Sequence, residues 1–336
     1  MSVPTRAPTR VTVIVAVYNR ERYVRECIES ILTTGYPALE ILVVDDGSTD
    51  RTPAILAALE GESAGAVRVL HNPGRRNLGQ KASTNLALEQ SGGDYVCFLD
   101  SDDVMLTHRF ETAVPLLDGD PGLDGVVEVA ELVFEDAEQR RRWGDRPPRY
   151  GPRVEALPAD GFLAACLLDR TCSMHTSNIL VRRRLFGKSG VYRLTRERSE
   201  DFHLWLRMAA CGRFAVGEIE RPVTRYRRHE GNVWSPDRGD SVRDVRVLGD
   251  VLAWARRSPD VSARNVAVLR QAYRRKARWC LAMLRADGDR AGLTALSRRL
   301  LARDPTWILD RAFAGNLVRG LLARPGRRDR GSVPPS

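Results

Sequence analysis

The first hundred residues alternate between short apolar runs and segments in which apolar residues recur at helical spacing. The runs are rich in branched and aromatic side chains, which is typical of strands buried on both faces. They are Val11–Val17, Glu40–Val44, Val67–Leu70 and Tyr95–Leu99. The segments between them predict helices over Arg22–Leu32, Pro53–Leu59 and Ala82–Glu89. Repeated strand–helix units of this kind predict an α/β fold with a Rossmann-like, mostly parallel sheet flanked by helices.

The pattern is less regular in the middle of the chain. It predicts a strand over Gly125–Phe134, a loop over Arg140–Arg153, a helix over Phe162–Leu168, a strand over Ser177–Val181 and a helix over Phe202–Ala210. Gly212 follows the last segment at a position where helices often end.

After Pro236 the spacing is helical, and it predicts helices over Val242–Arg257, Asn265–Arg285, Leu293–Ala302 and Trp307–Leu322. The second has an apolar stripe formed by Val266, Leu269, Tyr273, Ala277, Cys280 and Leu284. Its arginines lie mostly off this stripe; they are Arg270, Arg274, Arg275 and Arg278. We divide the chain into an N-terminal tail (1–10), an α/β domain (11–235), a basic α-helical C-terminal appendage (240–324) and a disordered tail (325–336).

The net charge of +10 is concentrated at one end of the 336-residue chain. Residues 241–336 contain 21 basic and 8 acidic residues, whereas residues 1–240 have a small negative net charge. Such a region favours peripheral contact with a membrane or with an anionic acceptor, although a solvated helical face has the same composition. Its apolar stripes would also suit a homodimer. No nucleic-acid motif occurs, which argues against a nucleic-acid partner.

The cysteines and the apolar runs indicate the cell compartment. None of the six cysteines forms a CxxC pair, so we expect reduced, mostly buried thiols. No apolar run approaches the ~20 residues of a membrane span, and the N-terminus lacks the apolar core of a signal peptide. We therefore expect a cytoplasmic protein whose membrane contact, where present, is peripheral and on the inner face.

Polar and acidic side chains directly follow three of the predicted strands. Tyr18 and Asn19 follow the first strand, Asp45 and Asp46 the second, and an acidic group beginning at Asp100 follows the strand ending at Leu99. Because the carboxyl ends of parallel strands meet at one sheet edge, these groups should lie close together. Crowded carboxylates repel one another without a cation, so the pattern predicts Mn²⁺ or Mg²⁺ at this edge.

Five segments, in this order, resemble the inverting family 2 glycosyltransferases of the GT-A fold. They are AVYNRERYVRECIESIL, EILVVDDGSTD, NLGQKASTNLAL, DYVCFLDSDD and SEDFHLWLRMAACG. The resemblance covers roughly residues 10–235. It implies transfer of one sugar from a nucleoside diphosphate sugar, with UDP as the expected nucleotide, to a hydroxyl acceptor.

The resemblance also implies roles for individual residues. Those expected to bind the nucleotide are Val17, Tyr18, Asn19, Glu21, Asp45, Asp46, Gly79, Lys81, Asp100 and Ser101. Ala16 replaces the usual proline before the YN pair, and Thr84 replaces a usual arginine, for which Lys81 could substitute. Asp102 and His229 are expected to bind the metal. Weaker matches to acceptor or diphosphate contacts are Asp103, Trp205, Arg227 and Arg228.

An inverting transfer needs a base, because the acceptor hydroxyl loses its proton as it attacks the anomeric carbon. The resemblance assigns this role to Asp201, supported by Glu200. Acids in this position also favour the start of a helix, which is the simpler interpretation of the pair alone.

Other functions fit the sequence less well. A dinucleotide-binding oxidoreductase would need G-x-G-x-x-G after the first strand, where this chain has AVYNRER. A sugar nucleotidyltransferase would also need a glycine-rich loop there, and a phosphatase would carry its DxD after the first strand. A processive synthase would carry membrane helices and a Q-x-x-R-W motif. The remaining alternative is a non-catalytic protein of the same fold that binds nucleotide sugars or acts as a scaffold.

Overall fold

The computed structural model describes residues 7–144, 149–158, 160–194, 200–229 and 239–322. These residues form two compact units. The first contains residues 7–229 and Asp260–Ser262, and the second contains 239–259 and 263–322. The predicted tail over 325–336 lies outside the described residues.

The first unit is built on a seven-stranded sheet with a smaller, four-stranded sheet beside it. Its strands, in chain order, are β1 (Val11–Val17), β2 (Leu39–Asp45), β3 (Val67–His71), β4 (Tyr95–Phe98), β5 (Val104–Met105), β6 (Gly125–Val127), β7 (Ala130–Phe134), β8 (Arg149–Tyr150), β9 (Ile179–Arg182), β10 (Phe214–Val216) and β11 (Thr224–Arg228). The large sheet has the order β10-β6-β9-β4-β1-β2-β3, and only β9 runs antiparallel to its neighbours. The predicted mostly parallel sheet is therefore confirmed.

The helices of the first unit connect these strands. They are α1 (Val24–Leu32), α2 (Thr52–Glu62), α3 (Gln80–Gln90), α4 (Ala113–Gly119), α5 (Ala137–Trp143), α6 (Phe162–Ala164), α7 (Leu185–Ser189) and α8 (Glu200–Cys211). A π-helical turn, Ala165–Asp169, continues α6. The core lies where α1 and α2 cover the centre of the sheet; Val13 and Val15 of β1 and Ile28 of α1 are fully buried in it. Continuous burial explains why β1 is an unbroken apolar run.

Three predictions for the middle of the chain were wrong in detail. The predicted strand Gly125–Phe134 is two strands, because the chain passes at Glu128 and Val129 from the large sheet to the small one. The predicted loop Arg140–Arg153 contains most of α5 and all of β8; Asp136 caps α5 by accepting a hydrogen bond from the Gln139 amide. The predicted strand Ser177–Val181 begins only at Ile179, after a capped 3₁₀ turn.

The second unit consists of four helices: α9 (Gly239–Ala255), α10 (Ala263–Ala286), α11 (Arg290–Arg303) and α12 (Arg311–Leu322). All four were predicted, except that the segment from Trp307 to Leu309 is a 3₁₀ turn rather than the start of α12. The predicted stripe of α10 is buried from Leu269 to Leu284, whereas Val266 is half-buried.

Two of the arginines of α10 are used inside this unit. Arg274 donates to Asp304 at 3.4 Å and to Thr306 at 2.9 Å, and Arg278 donates to Asp310 at 2.6 Å. These contacts fasten the 3₁₀ turn to α10. Within the described residues, no helix is both long enough and apolar enough to cross a membrane.

A buried ion pair lies at the crossing between the two sheets. Arg109 and Glu128 are in contact, and both side chains are fully buried. Burial raises the pKa of Glu128 to about 7, although the Arg109 charge opposes this shift. Glu128 also accepts a hydrogen bond from the Glu218 amide at 3.2 Å.

Replacing Arg109 with methionine should lower the free energy of unfolding by about 3–5 kcal/mol at neutral pH, because Glu128 would remain buried without its cation. The loss should be smaller at about pH 5 than at about pH 8, since a protonated Glu128 needs no partner. Urea unfolding measures both values. Arg225→Met is the matched control, because its pair with Glu131 is partly exposed, and it should cost less than about 1 kcal/mol. An equal loss in the two variants would contradict the prediction.

Candidate functional site

The loop after β1 is fastened to the loop after β2. Asn19 has a φ of +50°, and its backbone N–H donates to Ser48 Oγ at 3.0 Å. In return, the Thr49 amide donates to Asn19 Oδ1 at 2.8 Å. Val17 is buried, whereas Tyr18 is 42% exposed. The Tyr18 ring is therefore presented to solvent from a fixed loop, as a flat surface on which an aromatic ligand can stack.

Glu21 also lies on this loop, but its side chain contacts Arg51, directly before α2. Its carboxylate accepts a hydrogen bond from the Arg51 amide at 2.9 Å and pairs with the Arg51 side chain. This contact holds the start of α2 and does not by itself indicate a nucleotide contact.

The two acids after β2 have different environments. Asp46 is buried and accepts hydrogen bonds from the amides of Leu78 and Gly79 at 2.7 and 3.0 Å and from Asn72 Nδ2 at 2.6 Å. Burial raises the pKa of Asp46, and these hydrogen bonds oppose the shift. Asp46 thus holds the loop that leads into α3. Asp45 accepts the Ser48 amide at 3.0 Å.

The glycine after this pair allows the close approach of the two loops. Gly47 has a φ of +77°, and a Cβ added there would lie 2.7 Å from the backbone nitrogen of Asn77. No other residue type fits without displacing that backbone.

Asp100 and Asp103 are the first and last acids of the group that follows β4. Asp100 accepts a hydrogen bond from Gln80 Nε2 at 2.9 Å. Burial, together with the charges of Asp102 and Asp201, raises the pKa of Asp100 to about 7. Asp103 is buried and accepts hydrogen bonds from Ser177 Oγ at 2.8 Å and from the Arg227 amide at 3.0 Å. Asp103 therefore helps to position β11, and its acceptor contact stays a prediction.

Asp102 lies beside His229, although the two residues are far apart in the sequence. Asp102 Oδ2 is 3.0 Å from His229 Nε2 and 3.5 Å from Arg20 Nε. Burial opposes ionisation, but the His229 hydrogen bond and the Arg20 charge hold the pKa of Asp102 below its usual range. The adjacent Ser101 is also buried.

The donor atoms of this pair fit a divalent metal only in part. A carboxylate oxygen and an imidazole nitrogen are suitable ligands for Mn²⁺, and the carboxylate for Mg²⁺. Within the described residues, no group of three or more His, Cys, Asp or Glu side chains is arranged around a common point. An ion held by Asp102 and His229 would therefore take its other ligands from substrate oxygens or water.

Asp201 lies on the first turn of α8 and faces the same edge of the sheet. Its Oδ1 is in contact with Lys81 Nζ. Burial, together with the nearby Asp201 charge, raises the pKa of Tyr192. Lys81 Nζ lies 4.8 Å from the centre of the Tyr192 ring. The side chain of Glu200 lies outside the described residues.

The side chains of the other three residues with weaker predicted contacts have partners within the protein. Trp205 is buried and packs against Phe98, with ring centres 5.7 Å apart. Arg227 pairs with Glu26 at 2.6 Å, and Arg228 donates to the Tyr226 hydroxyl at 3.0 Å. The acceptor and diphosphate contacts of these three residues stay predictions.

Sequence reasoning missed Gln80, Tyr192 and His175. Desolvation lowers the pKa of His175 to about 4, while the Asp201 charge opposes the shift, so this ring lies near the site. Gln80 could have been noticed because it precedes Lys81 at the start of a predicted helix. No local pattern marks Tyr192, which reaches Asp201 only through the packing of its segment against α3.

Comparison with the sequences of known proteins identifies the family to which the chain belongs. Residues 12–190 match the family model described as glycosyl transferase family 2. EpsE of Bacillus subtilis (strain 168), which is named as a glycosyltransferase, is 32% identical over 200 residues. That match covers 59% of this chain and 66% of EpsE, so the chain spans just under two thirds of this relative.

Two solved structures share the fold. TarS 1–349 from S. aureus, in complex with UDP-GlcNAc, matches with a TM-score of 0.67 at 18% identity, covering 93% of this chain and 89% of that one. The mannosyltransferase PcManGT from Pyrobaculum calidifontis, in complex with GDP-Man and Mn²⁺, matches with a TM-score of 0.52 at 20% identity. That match covers 94% of this chain and 86% of PcManGT. The chain therefore has the GT-A fold.

Proposed function

The chain belongs to glycosyl transferase family 2, and from this premise we propose that it transfers a single sugar from a nucleoside diphosphate sugar to an acceptor hydroxyl, with inversion. One observation carries the proposal. Gln80 and Lys81 are neighbours at the start of α3 and contact Asp100 and Asp201 respectively, so Asp201 lies at the sheet edge that carries Asp100 and Asp102. This arrangement supports a role for Asp102 as a metal ligand and for Asp201 as a base at one site.

We propose that the donor is a UDP-sugar. The exposed ring of Tyr18 would stack on the base, and Asp45 would accept a hydrogen bond from the base or ribose. Asp100 would lie nearest the ribose. The UDP-GlcNAc complex of TarS supports uridine, whereas the GDP-Man complex of PcManGT shows that this fold also accepts guanosine. The nucleotide is therefore the first property to measure.

The proposed chemistry is a single displacement. The acceptor oxygen forms a bond to the anomeric carbon while the bond from that carbon to the diphosphate breaks, and its electron pair leaves with the diphosphate. Asp201 takes the proton of the acceptor hydroxyl. Asp102 and His229 would hold Mn²⁺ or Mg²⁺, which when bound would neutralise charge on the diphosphate.

A non-catalytic nucleotide-sugar-binding protein or scaffold of the same fold is the alternative. It would bind the nucleotide through the same residues and release no nucleoside diphosphate in the presence of an acceptor. Retention of a carboxylate at both Asp102 and Asp201 favours the enzyme, because binding alone needs no base.

The donor nucleotide can be identified by calorimetric titration of UDP, GDP, dTDP and CDP, each with and without Mn²⁺. We expect UDP to bind tightest and its affinity to rise about tenfold or more with the metal, as is expected when an ion bridges diphosphate and carboxylate. Asp102→Ala should remove this increase but leave metal-free binding intact. Asp94→Asn is the matched control, because Asp94 is exposed and precedes β4, at the opposite end of that strand. A metal effect that survives in Asp102→Ala would contradict the assignment.

Asp201→Asn should lower the transfer rate by about 10²–10⁴-fold, because an amide cannot accept the acceptor's proton. UDP binding should persist in this variant. The measurement is UDP release from a UDP-sugar supplied with an acceptor fraction on which the wild-type protein is active. Near-normal turnover of Asp201→Asn would show that another group is the base, and Asp94→Asn serves again as the control.

For the second unit, we propose contact with an anionic membrane surface. Its residues 239–259 and 263–322 include 17 basic and 7 acidic residues. Ion pairs join four of these acids to basic side chains, at Asp244, Asp250, Asp304 and Asp310. On the turn before α12, Ile308 and Leu309 are 69% and 80% exposed. The exposed Arg311 follows them closely, so apolar and cationic side chains occur together, which suits anionic lipid.

The double variant Ile308→Ser/Leu309→Ser should bind vesicles containing phosphatidylglycerol at least about tenfold more weakly, because two apolar side chains no longer enter the bilayer. Co-sedimentation measures this, and phosphatidylcholine vesicles test the need for charge. Leu194→Ser is the matched control, since Leu194 is also 69% exposed but lies in the first unit. Unchanged vesicle binding, or a dimer that dissociates in the double variant, would contradict the proposal; the second outcome would favour the predicted homodimer.

A further inference from the structure

Lys81 and Asp201 form an ion pair at the centre of the candidate site. Lys81 Nζ contacts Asp201 Oδ1 and lies 3.4 Å from Gln80 Oε1. The Lys81 side chain is 21% exposed and that of Asp201 is 42% exposed. The pair therefore lies at the border between protein and solvent, where a ligand can reach both charges.

The backbone that carries Lys81 is held in place by contacts that do not involve its ammonium group. Asp46 binds the Gly79 amide directly before α3, and Gln80 binds Asp100 on the adjacent strand end. Further along α3, Asn85 exchanges two hydrogen bonds with the backbone of Tyr192, at 2.8 and 3.1 Å. A four-carbon side chain extending from this fixed turn allows Nζ to move between partners without a change in the fold.

The ion pair conflicts with the role proposed for Asp201. A base must offer a carboxylate lone pair to the acceptor hydroxyl. Here one oxygen of Asp201 is in contact with an ammonium group, so this oxygen is not available to the acceptor hydroxyl. Asp201 is therefore restrained by its partner in this arrangement.

We propose that Lys81 is a positioning residue that responds to the donor: it leaves its pair with Asp201 and moves to the diphosphate when the nucleotide sugar binds. This inference rests on the proposed function. A diphosphate carries more negative charge than one carboxylate and offers several oxygens, so it competes successfully for the ammonium group. The exchange makes Asp201 available only after the donor is in place.

The exchange also serves the reaction step itself. As the acceptor oxygen bonds to the anomeric carbon, the electron pair of the breaking bond passes to the diphosphate, where Lys81 now stabilises the added charge. The acceptor's proton passes to Asp201, whose oxygen Lys81 has left. One cation thus restrains the base before the donor binds and stabilises the leaving group afterwards.

A double-mutant cycle on UDP binding tests the exchange, with affinities measured by calorimetry in the presence of Mn²⁺. Lys81→Gln should weaken UDP binding about tenfold and leave uridine binding unchanged, because only UDP carries the diphosphate. Asp201→Asn should tighten UDP binding about threefold to fivefold, since UDP no longer competes with Asp201 for Lys81. The double variant Lys81→Gln/Asp201→Asn should bind UDP no more tightly than Lys81→Gln alone does.

Two further variants serve as controls. Lys81→Arg keeps the charge and should restore most of the UDP affinity that Lys81→Gln loses. Asp94→Asn removes an exposed carboxylate at the other end of β4 and should not change UDP binding. Thermal unfolding of each variant checks that the fold is intact.

The outcomes separate this inference from the proposed function. If the wild-type protein binds UDP but Asp201→Asn does not tighten binding, or tightens it equally without Lys81, the ion pair is only structural and the inference is wrong. If the wild-type protein binds none of UDP, GDP, dTDP and CDP, the proposed function fails, and the inference fails with it.

Discussion

The parallel hydrogen-bonded register of β1 with β2 and β4 is the constraint on which the candidate site depends. Val17, the last residue of β1, is paired with Asp45, and Ile14 is paired with Phe98. Because these strands run in the same direction, the residues that follow them emerge at one edge of the sheet. A register shifted by one residue would turn the acids toward the opposite face. The apolar core beneath the sheet therefore determines the position of the polar site as well as the stability of the unit.

The arrangement has an electrostatic cost, which the structure offsets with cations and hydrogen-bond donors. Each acid at the edge has its own partner: amides for Asp46, Gln80 for Asp100, and His229 with Arg20 for Asp102. The compensation is incomplete at Asp100, where burial and neighbouring carboxylates raise the pKa to about 7. Where the negative charges at a solvent-facing edge are only partly neutralised, a metal ion or a cationic side chain can move from one anionic group to another. Lys81 occupies the position where such an exchange has a chemical purpose.

The second unit shows that a basic composition is not the same as a basic surface. Arg274 and Arg278 look like part of a solvated face in the sequence, yet they hold the turn that carries Ile308 and Leu309. Their role inside the unit is to present an apolar turn, while Arg311, which follows the turn, is exposed. In this unit, paired arginines therefore hold exposed apolar side chains in place. A count of lysines and arginines does not reveal this role.

The sequence by itself determined the central strands, the family and the acids at the strand ends. Buried parallel strands are continuous apolar runs, and the residues after them are fixed by chain connectivity, so local pattern is sufficient for Asp45, Asp100 and Asp102. The same reasoning failed at Gly125–Phe134, because a strand that changes sheets keeps its apolar pattern throughout. A buried acid, Glu128, marks the change, and its cationic partner Arg109 comes from another segment.

The tertiary structure alone decided which side chains meet. Lys81 and Asp201 are 120 residues apart, and no periodicity links them. Asn85 holds the backbone of Tyr192 near the same site, and Asp103 accepts a hydrogen bond from the backbone of β11. These pairings arise when helices and strands pack against one another, because packing brings together groups whose separation along the chain carries no signal. The sequence therefore identified the acids of the site, and the fold decided which cation each of them faces.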